Sequence, residues 1–197
     1  MNFASKSISF TLLKFLQLVL CFVFISPILA EENLYDRGKE LVDQKQYQKA
    51  LKAFELASKA GSLDALTALG VMHIGGIGVK QDNIKGYNYI KEAADKSDPK
   101  AQYTLGALYY LGVGVEKNFK KAFKWLNLSS EQNYIDAKFN LGVMYEFGEG
   151  VDQSYEKAYE YYLFAARRDN LESQIKLASM YRDGIGTEMD LDKSAYW

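Results

Sequence analysis

The chain is short of the residues that most often carry chemistry. Its single cysteine, Cys21, lies near the start, so residues 31–197 contain none. That excludes from them a disulfide framework and a thiolate nucleophile, and it suits an exported protein whose core is large enough to need no covalent staple. Histidine also occurs once, as His73. A metal site or acid–base pair built on imidazole needs a second His or a Cys beside it, and residues 31–197 supply neither. Nor is there an excess of positive charge: 24 Lys and Arg stand against 25 Asp and Glu. A nucleic acid or an anionic membrane surface is therefore not the expected partner.

Charge is missing altogether from Phe15 to Leu29, and Lys6 and Lys14 are the only charges in the first thirty residues. Pro27-Ile28-Leu29-Ala30 then ends on a small residue, with Glu31-Glu32 directly after it. A basic segment, an apolar run and a small residue at the cut predict a secretory signal peptide over residues 1–30. Fifteen uncharged residues fall short of the roughly 20 a spanning helix needs, which counts against an uncleaved anchor. Leu18-Val19-Leu20 puts a bulky side chain where a lipidated Cys21 would need a small one. Removing the segment leaves 22 basic against 25 acidic side chains. The expectation is export, to a bacterial periplasm or medium rather than an endoplasmic-reticulum lumen, with no membrane contact after cleavage.

What is present is a repeat. Leu69-Gly70, Leu105-Gly106, Leu141-Gly142 and Leu177-Ala178 follow one another at intervals of 36 residues, and so do Gly76/Gly78, Gly112/Gly114, Gly148/Gly150 and Gly184/Gly186. A fixed period held without insertion marks a stacked array of one supersecondary unit. Ser62, Asp98, Tyr134 and Asn170 begin a first helix in each unit, three of them good N-caps; Asn133 is the expected substitute beside Tyr134. Pro99 takes the first helical position, where its missing N–H costs nothing. The apolar stripe Ala101, Leu105, Leu108 and Tyr109 has helical spacing. Gly112 and Gly114 end it, since glycine tolerates the left-handed geometry that reverses the chain.

A second helix opens at Asp82, Asn118, Ser154 and Asp190, all strong N-caps. Small residues recur within it at Gly86, Ala122, Ala158 and Ser194, and one aromatic at Tyr89, Trp125, Tyr161 and Trp197 reads as the knob between units. Gly61, Ser97, Asn133 and Asp169 follow it as turn formers. Ahead of these units, Gly38, Leu41, Tyr47, Ala50, Phe54 and Ala57 space out a further helix pair with a shorter loop, over residues 31–61. The units themselves are 62–97, 98–133, 134–169 and 170–197, the last incomplete at Trp197. Either a partner or a second copy covers that end, or the array is longer than this sequence.

The ordered set Ala-x-x-x-Leu-Gly-x-x-Tyr-x-x-Gly-x-Gly-Val, followed by a capped Lys-x-Ala-x-x-Trp helix, resembles the Sel-like repeat (SLR) family, relatives of the tetratricopeptide repeats (TPR). Ala101 to Ser130 is the best-matching unit, and the pair over 31–61 resembles a TPR. His73 in place of a repeat tyrosine, Gly86 in place of Ala and Ala178 in place of Gly are mild departures. The resemblance implies an all-α fold, a right-handed α-solenoid of stacked antiparallel helix pairs. It also implies an adaptor role in membrane-associated complex assembly, envelope signalling or contact with host cells. Some cysteine-rich members are associated with β-lactam hydrolysis, but their paired cysteines are absent here.

The Gly-x-Gly turns lack the preceding strand and third glycine of a dinucleotide site, so no cofactor is expected. Lys117, Lys120, Lys121 and Lys124 read as an exposed face, and the carboxylates as caps and solvated surface. His73 reads as a structural stand-in for tyrosine. In TPR-type stacking the first helix of each unit lines the concave surface. The positions three before, four after and five after the Leu-Gly glycine should face it: Thr67, Ile74 and Gly75; Tyr103, Tyr110 and Leu111; Phe139, Glu146 and Phe147; Ile175, Arg182 and Asp183. Of these, Tyr103, Tyr110, Leu111, Phe139 and Phe147, rimmed by Glu146 and Arg182, form the expected site for a protein or peptide partner. The function expected is a non-enzymatic interaction scaffold, with self-association through the C-terminal end as a further partner reading.

Overall fold

The computed structural model describes residues 34–197; the signal peptide expected over residues 1–30 lies outside the described residues. Two compact units divide the chain, one running through Ala65 and one from Leu66 to Trp197. The described residues contain helices and turns and no strand. None of their helices is long and apolar enough to cross a membrane.

In the first unit, helical residues 34–43 (α1) and α2 (Tyr47–Ala60) are joined by a three-residue turn in which Lys45 takes φ 57. The pair closes on Gly38, where a Cβ would enter the Phe54 ring. Tyr35 covers the same ring at 5.7 Å between centroids. Ala50 and Ala57 are fully buried on α2. The small–large pattern thus sets one ring of α2 against a bare stretch of α1.

α3 (Leu63–Gly75) begins three residues before Leu66, and the second unit holds the rest of it with α4 (Asn83–Asp95), α5 (Pro99–Leu111), α6 (Phe119–Glu131), α7 (Ile135–Phe147), α8 (Tyr155–Ala166), α9 (Leu171–Asp183) and α10 (Leu191–Tyr196). From α4 to α10 each helix packs on the helices next to it in sequence. That is the topology of an all-α helical-repeat solenoid, as the 36-residue period predicts.

Local chemistry sets the boundaries. Asp82, Asn118, Ser154 and Asp190 each accept a hydrogen bond from the N–H three residues on, at 2.9, 2.9, 3.2 and 2.9 Å. Asp98 and Asn170 do the same for α5 and α9, at 2.6 and 2.9 Å. Each such cap contributes about 1 kcal/mol. α7 has no side-chain cap: Tyr134 supplies none, and Asn133 does not replace it. Asn133 instead turns the chain at φ 63, as Ser97 and Asp169 do at 66 and 62. A residue committed to that left-handed turn is one position too early to cap.

Two glycine positions make the stacking. A Cβ at Gly106 would sit 2.8 Å from Leu126 Cγ, and one at Gly142 2.6 Å from Tyr162 Cε1. The Leu-Gly glycine is therefore where the second helix of a unit lies directly against the first. The second turn glycine joins one unit to the previous one. Gly114, Gly150 and Gly186 have φ near 70, and a Cβ there would strike the Asn83, Phe119 and Tyr155 backbones at the starts of α4, α6 and α8.

The aromatic knob between units is not the one expected. Tyr89 stacks on His73 and Tyr161 on Tyr145, both at 5.6 Å and both inside their own unit. Across units the rings are Tyr87 on Tyr109, Phe123 on Tyr145 and Tyr159 on Tyr181, edge-on at 5.6–6.0 Å. Two residues of helix turn a side chain by about 200°, which carries position 87 to the face that position 89 leaves. The tyrosine pairs add hydroxyl contacts of 2.9 Å (Tyr87 with Tyr109) and 2.7 Å (Tyr159 with Tyr181).

Candidate functional site

A cavity of about 360 Å³ opens between α5 and α7, lined by Tyr103, Ala107, Tyr110 and Leu111 from α5, by Phe139, Asn140, Val143 and Met144 from α7, and floored by Leu126 of α6. Four of the expected partner-binding residues, Tyr103, Tyr110, Leu111 and Phe139, come together there. Tyr103 and Phe139 hold the same repeat position one unit apart, so stacking sets them on adjacent helices.

The wall is apolar and its polar groups sit at the ends. Tyr110 donates to Glu149 Oε2 at 2.5 Å, packs edge-on to Phe119 at 5.1 Å, and has the Lys117 ammonium 5.8 Å from its ring. The Glu149 hydrogen bond, with burial second, pushes the Tyr110 phenol up to about 12. At the other end Tyr103 lies on Tyr134 at 5.1 Å. Burial, and then the charge of Asp136, raises its phenol above the ordinary 10.0, against a hydrogen bond from Asn140. Both phenols stay protonated at neutral pH. Leu111 stands at the mouth, 66% exposed.

The same place one unit on holds a bonded side-chain cluster. There Tyr162 replaces Leu126, Glu146 replaces Tyr110 and Lys176 replaces Asn140. Tyr162, fully buried, donates to Glu146 Oε2 at 2.5 Å, and Lys176 Nζ meets both Glu146 oxygens at 2.8 Å. Burial, then the Glu146 hydrogen bond, drives the Tyr162 phenol far above its ordinary value. Glu146, expected on the rim, is thus engaged inside the fold. Phe147 is 60% exposed with the Lys176 ammonium 5.5 Å from its ring. Arg182 is exposed and folds onto Asp183 through two bonds of 2.7 Å, with Ser179 at 3.3 Å.

Among the other first-helix positions, Thr67 is buried rather than facing outward. Sequence reasoning missed Leu126, Asn140, Val143 and Met144 as lining, and Tyr162 and Lys176 as the plug of the next groove. The signal was present in the 36-residue register, where Leu126 and Tyr162 differ in size at a position that supports the first helix. Among the described residues no three His, Cys, Asp or Glu side chains gather to hold a metal ion. His73 is buried against Tyr89. What this arrangement can do is bind: an apolar slot with a phenol at each end suits a large apolar side chain flanked by polar backbone.

Comparison with protein families matches the Sel1 repeat over residues 29–62, 63–98, 99–134, 135–170 and 171–197. Among solved structures, a protective antigen of uropathogenic Escherichia coli displaying an SLR fold is 28% identical with a TM-score of 0.77. The match covers 84% of this chain and 36% of the antigen. A Sel1 repeat protein from Oxalobacter formigenes is 30% identical, also with a TM-score of 0.77, over 82% of this chain and 66% of its own. This chain therefore spans about a third of the antigen's length. Curated proteins yield no match.

Proposed function

Because the chain belongs to the Sel1 repeat family, whose members are generally protein–protein interaction scaffolds, we propose that it is an exported, non-enzymatic adaptor that seats a protein or peptide partner between α5 and α7. Its setting is a bacterial envelope or the medium beyond it, in complex assembly, signalling or host contact. The observation that carries the reading is the open slot between Tyr103, Phe139 and Leu126, at a register that Tyr162, Glu146 and Lys176 plug one unit later. A partner inserts an apolar side chain there and meets the Tyr103 and Tyr110 phenols with backbone groups.

The substitution Leu111→Asp tests the slot, because it places a charge at an exposed mouth and leaves the core alone. Affinity capture followed by mass spectrometry should recover a partner with the native chain and lose it, by about tenfold or more, with the variant. Equal recovery by a variant with native helical circular dichroism sinks the assignment. Export is tested separately by the N-terminal sequence of the protein recovered from cells, which should begin at Glu31.

A second reading rests on exposed apolar side chains of α9, α10 and the turn before it: Ile175, Met189, Leu191 and Tyr196, all more than 60% exposed. They suit self-association of two copies. Light scattering over a range of concentrations decides it, since a strict monomer leaves that surface unused.

A further inference from the structure

A second concave surface shares no residue with the α5–α7 cavity. It runs between α7 and α8, lined by Lys138, Tyr145, Lys157, Glu160, Tyr161 and Phe164, and continues past Phe164 to Leu163, Arg167 and Arg168. Four cations and one carboxylate line it, on a chain whose overall charge is −1.

Its centre is a departure from the repeat. In the preceding unit the corresponding residues are Gln102, Leu128 and Gln132; Gln132 donates to Gln102 at 2.9 Å, and Gln102 to the Ala94 carbonyl at 3.5 Å. Here the two amides become Lys138 and Arg168, which cannot bond to each other, and Leu128 becomes Phe164. Both cations lie against that ring, the Lys138 ammonium 4.2 Å and the Arg168 guanidinium 3.7 Å from its centroid. Among the described residues Lys138 otherwise reaches only Ser130 Oγ, at 3.4 Å, and Arg168 the Phe164 carbonyl at 3.2 Å. Partial burial and then the charge of Arg168 hold the Lys138 ammonium below its ordinary pKa. Glu131 of the preceding unit is also replaced, by the cation Arg167. Two like charges held on one ring, with no carboxylate of the described residues on either, cost energy that an incoming anion would return.

We propose that this surface binds an extended acidic peptide segment of a partner protein, its carboxylates meeting Lys157 at one end and Lys138 and Arg168 at the other, with an apolar side chain over Phe164 and Tyr161. The length argues for a peptide over a lone phosphate. Lys157 and Arg168 stand 11 residues apart in sequence, about 16 Å at the rise of a helix. About five residues of extended chain cover that span.

The probe is the fluorescein-labelled pentapeptide Glu-Asp-Phe-Asp-Glu, amidated at its C-terminus and titrated with the native chain by fluorescence anisotropy at low and at physiological ionic strength. Saturable binding that weakens with salt is expected. The double substitution Lys138→Gln with Arg168→Gln restores the amide pair of the preceding unit, so it should fold, and it should weaken binding about tenfold or more. The single substitution Arg167→Gln, at an exposed position, should weaken it less. Leu111→Asp should leave it unchanged, which separates this surface from the α5–α7 slot. Peptide binding that survives the double substitution overturns the proposal. So does an absence of peptide binding combined with Lys138-dependent capture of phosphatidylglycerol vesicles, which would assign the surface to a membrane.

Discussion

At the scale of single residues, the repeat supplies internal controls. Among the described residues the buried Ser173 hydroxyl has no hydrogen-bond partner, whereas the same position in the other units is Ala65, Ala101 and Ala137. A buried hydroxyl left unpaired costs about 1–3 kcal/mol. Ser173→Ala should therefore stabilise the protein by about 1 kcal/mol, read as a higher midpoint in urea or thermal unfolding. A lower midpoint would mean that the hydroxyl is satisfied in solution. The Glu146 cluster behaves in the opposite sense. Lys176→Ala would strand a carboxylate that, among the described residues, Tyr162 alone still serves, in a setting where its side chain is 21% exposed. The expected loss is about 2 kcal/mol, and Glu146→Gln in the same background should recover part of it.

At the scale of the element, the Gly-x-Gly turn divides its labour. Gly148 and Gly150 have nearly the same φ, 71 and 75, so the strain of placing alanine there is similar. Their surroundings differ: a Cβ at Gly148 would meet Gln153 Cβ at 3.2 Å, whereas one at Gly150 would meet the Phe119 backbone at 2.5 Å. A side chain can yield and a helix start cannot. Gly150→Ala should thus be more destabilising than Gly148→Ala by roughly 2 kcal/mol, the range of overpacking, and equilibrium unfolding of the two variants measures the contact between units. Equal losses would show that φ alone matters. These turns and their caps were legible in the sequence because they are local: a side chain three residues from an orphan N–H, or a glycine at a reversal, acts within its own loop. The aromatic contact between units was not legible at that level. Tyr87 and Tyr89 are both aromatic and two residues apart, and only the rotation of α4 against α5 decides which one crosses to the next unit.

At the scale of the whole molecule, hydrogen-bonded, buried or half-buried phenols contribute to alkaline behaviour. Burial and a partner hydroxyl push Tyr87 and Tyr181 up to about 12, and the Glu149 hydrogen bond does the same for Tyr110. The unfolded chain gives up these protons near pH 10 while the fold retains them. Their contribution is therefore intact below pH 10 and declines as pH rises from 10 towards 12. Denaturant unfolding across that window should show falling stability, with phenolate absorbance lagging behind an ordinary tyrosine titration. Full phenolate absorbance near pH 10 in a still-folded chain would contradict the burial.

The sequence by itself determined the class of the protein. A 36-residue period, its N-caps and its paired glycines specify helix, turn and helix at each step, because each signal is read by backbone groups a few residues away. Only the tertiary structure decided which grooves are open. Tyr103 and Phe139 face one another, Tyr162 fills a place that Leu126 leaves empty, and Lys138 and Arg168 share the ring of Phe164. Each depends on side chains from helices that meet by stacking, where the volume and charge of one residue are set against another's some 30 residues away. The repeat makes every unit alike in backbone; side-chain size and charge at equivalent positions then decide which unit keeps a slot and which one closes it.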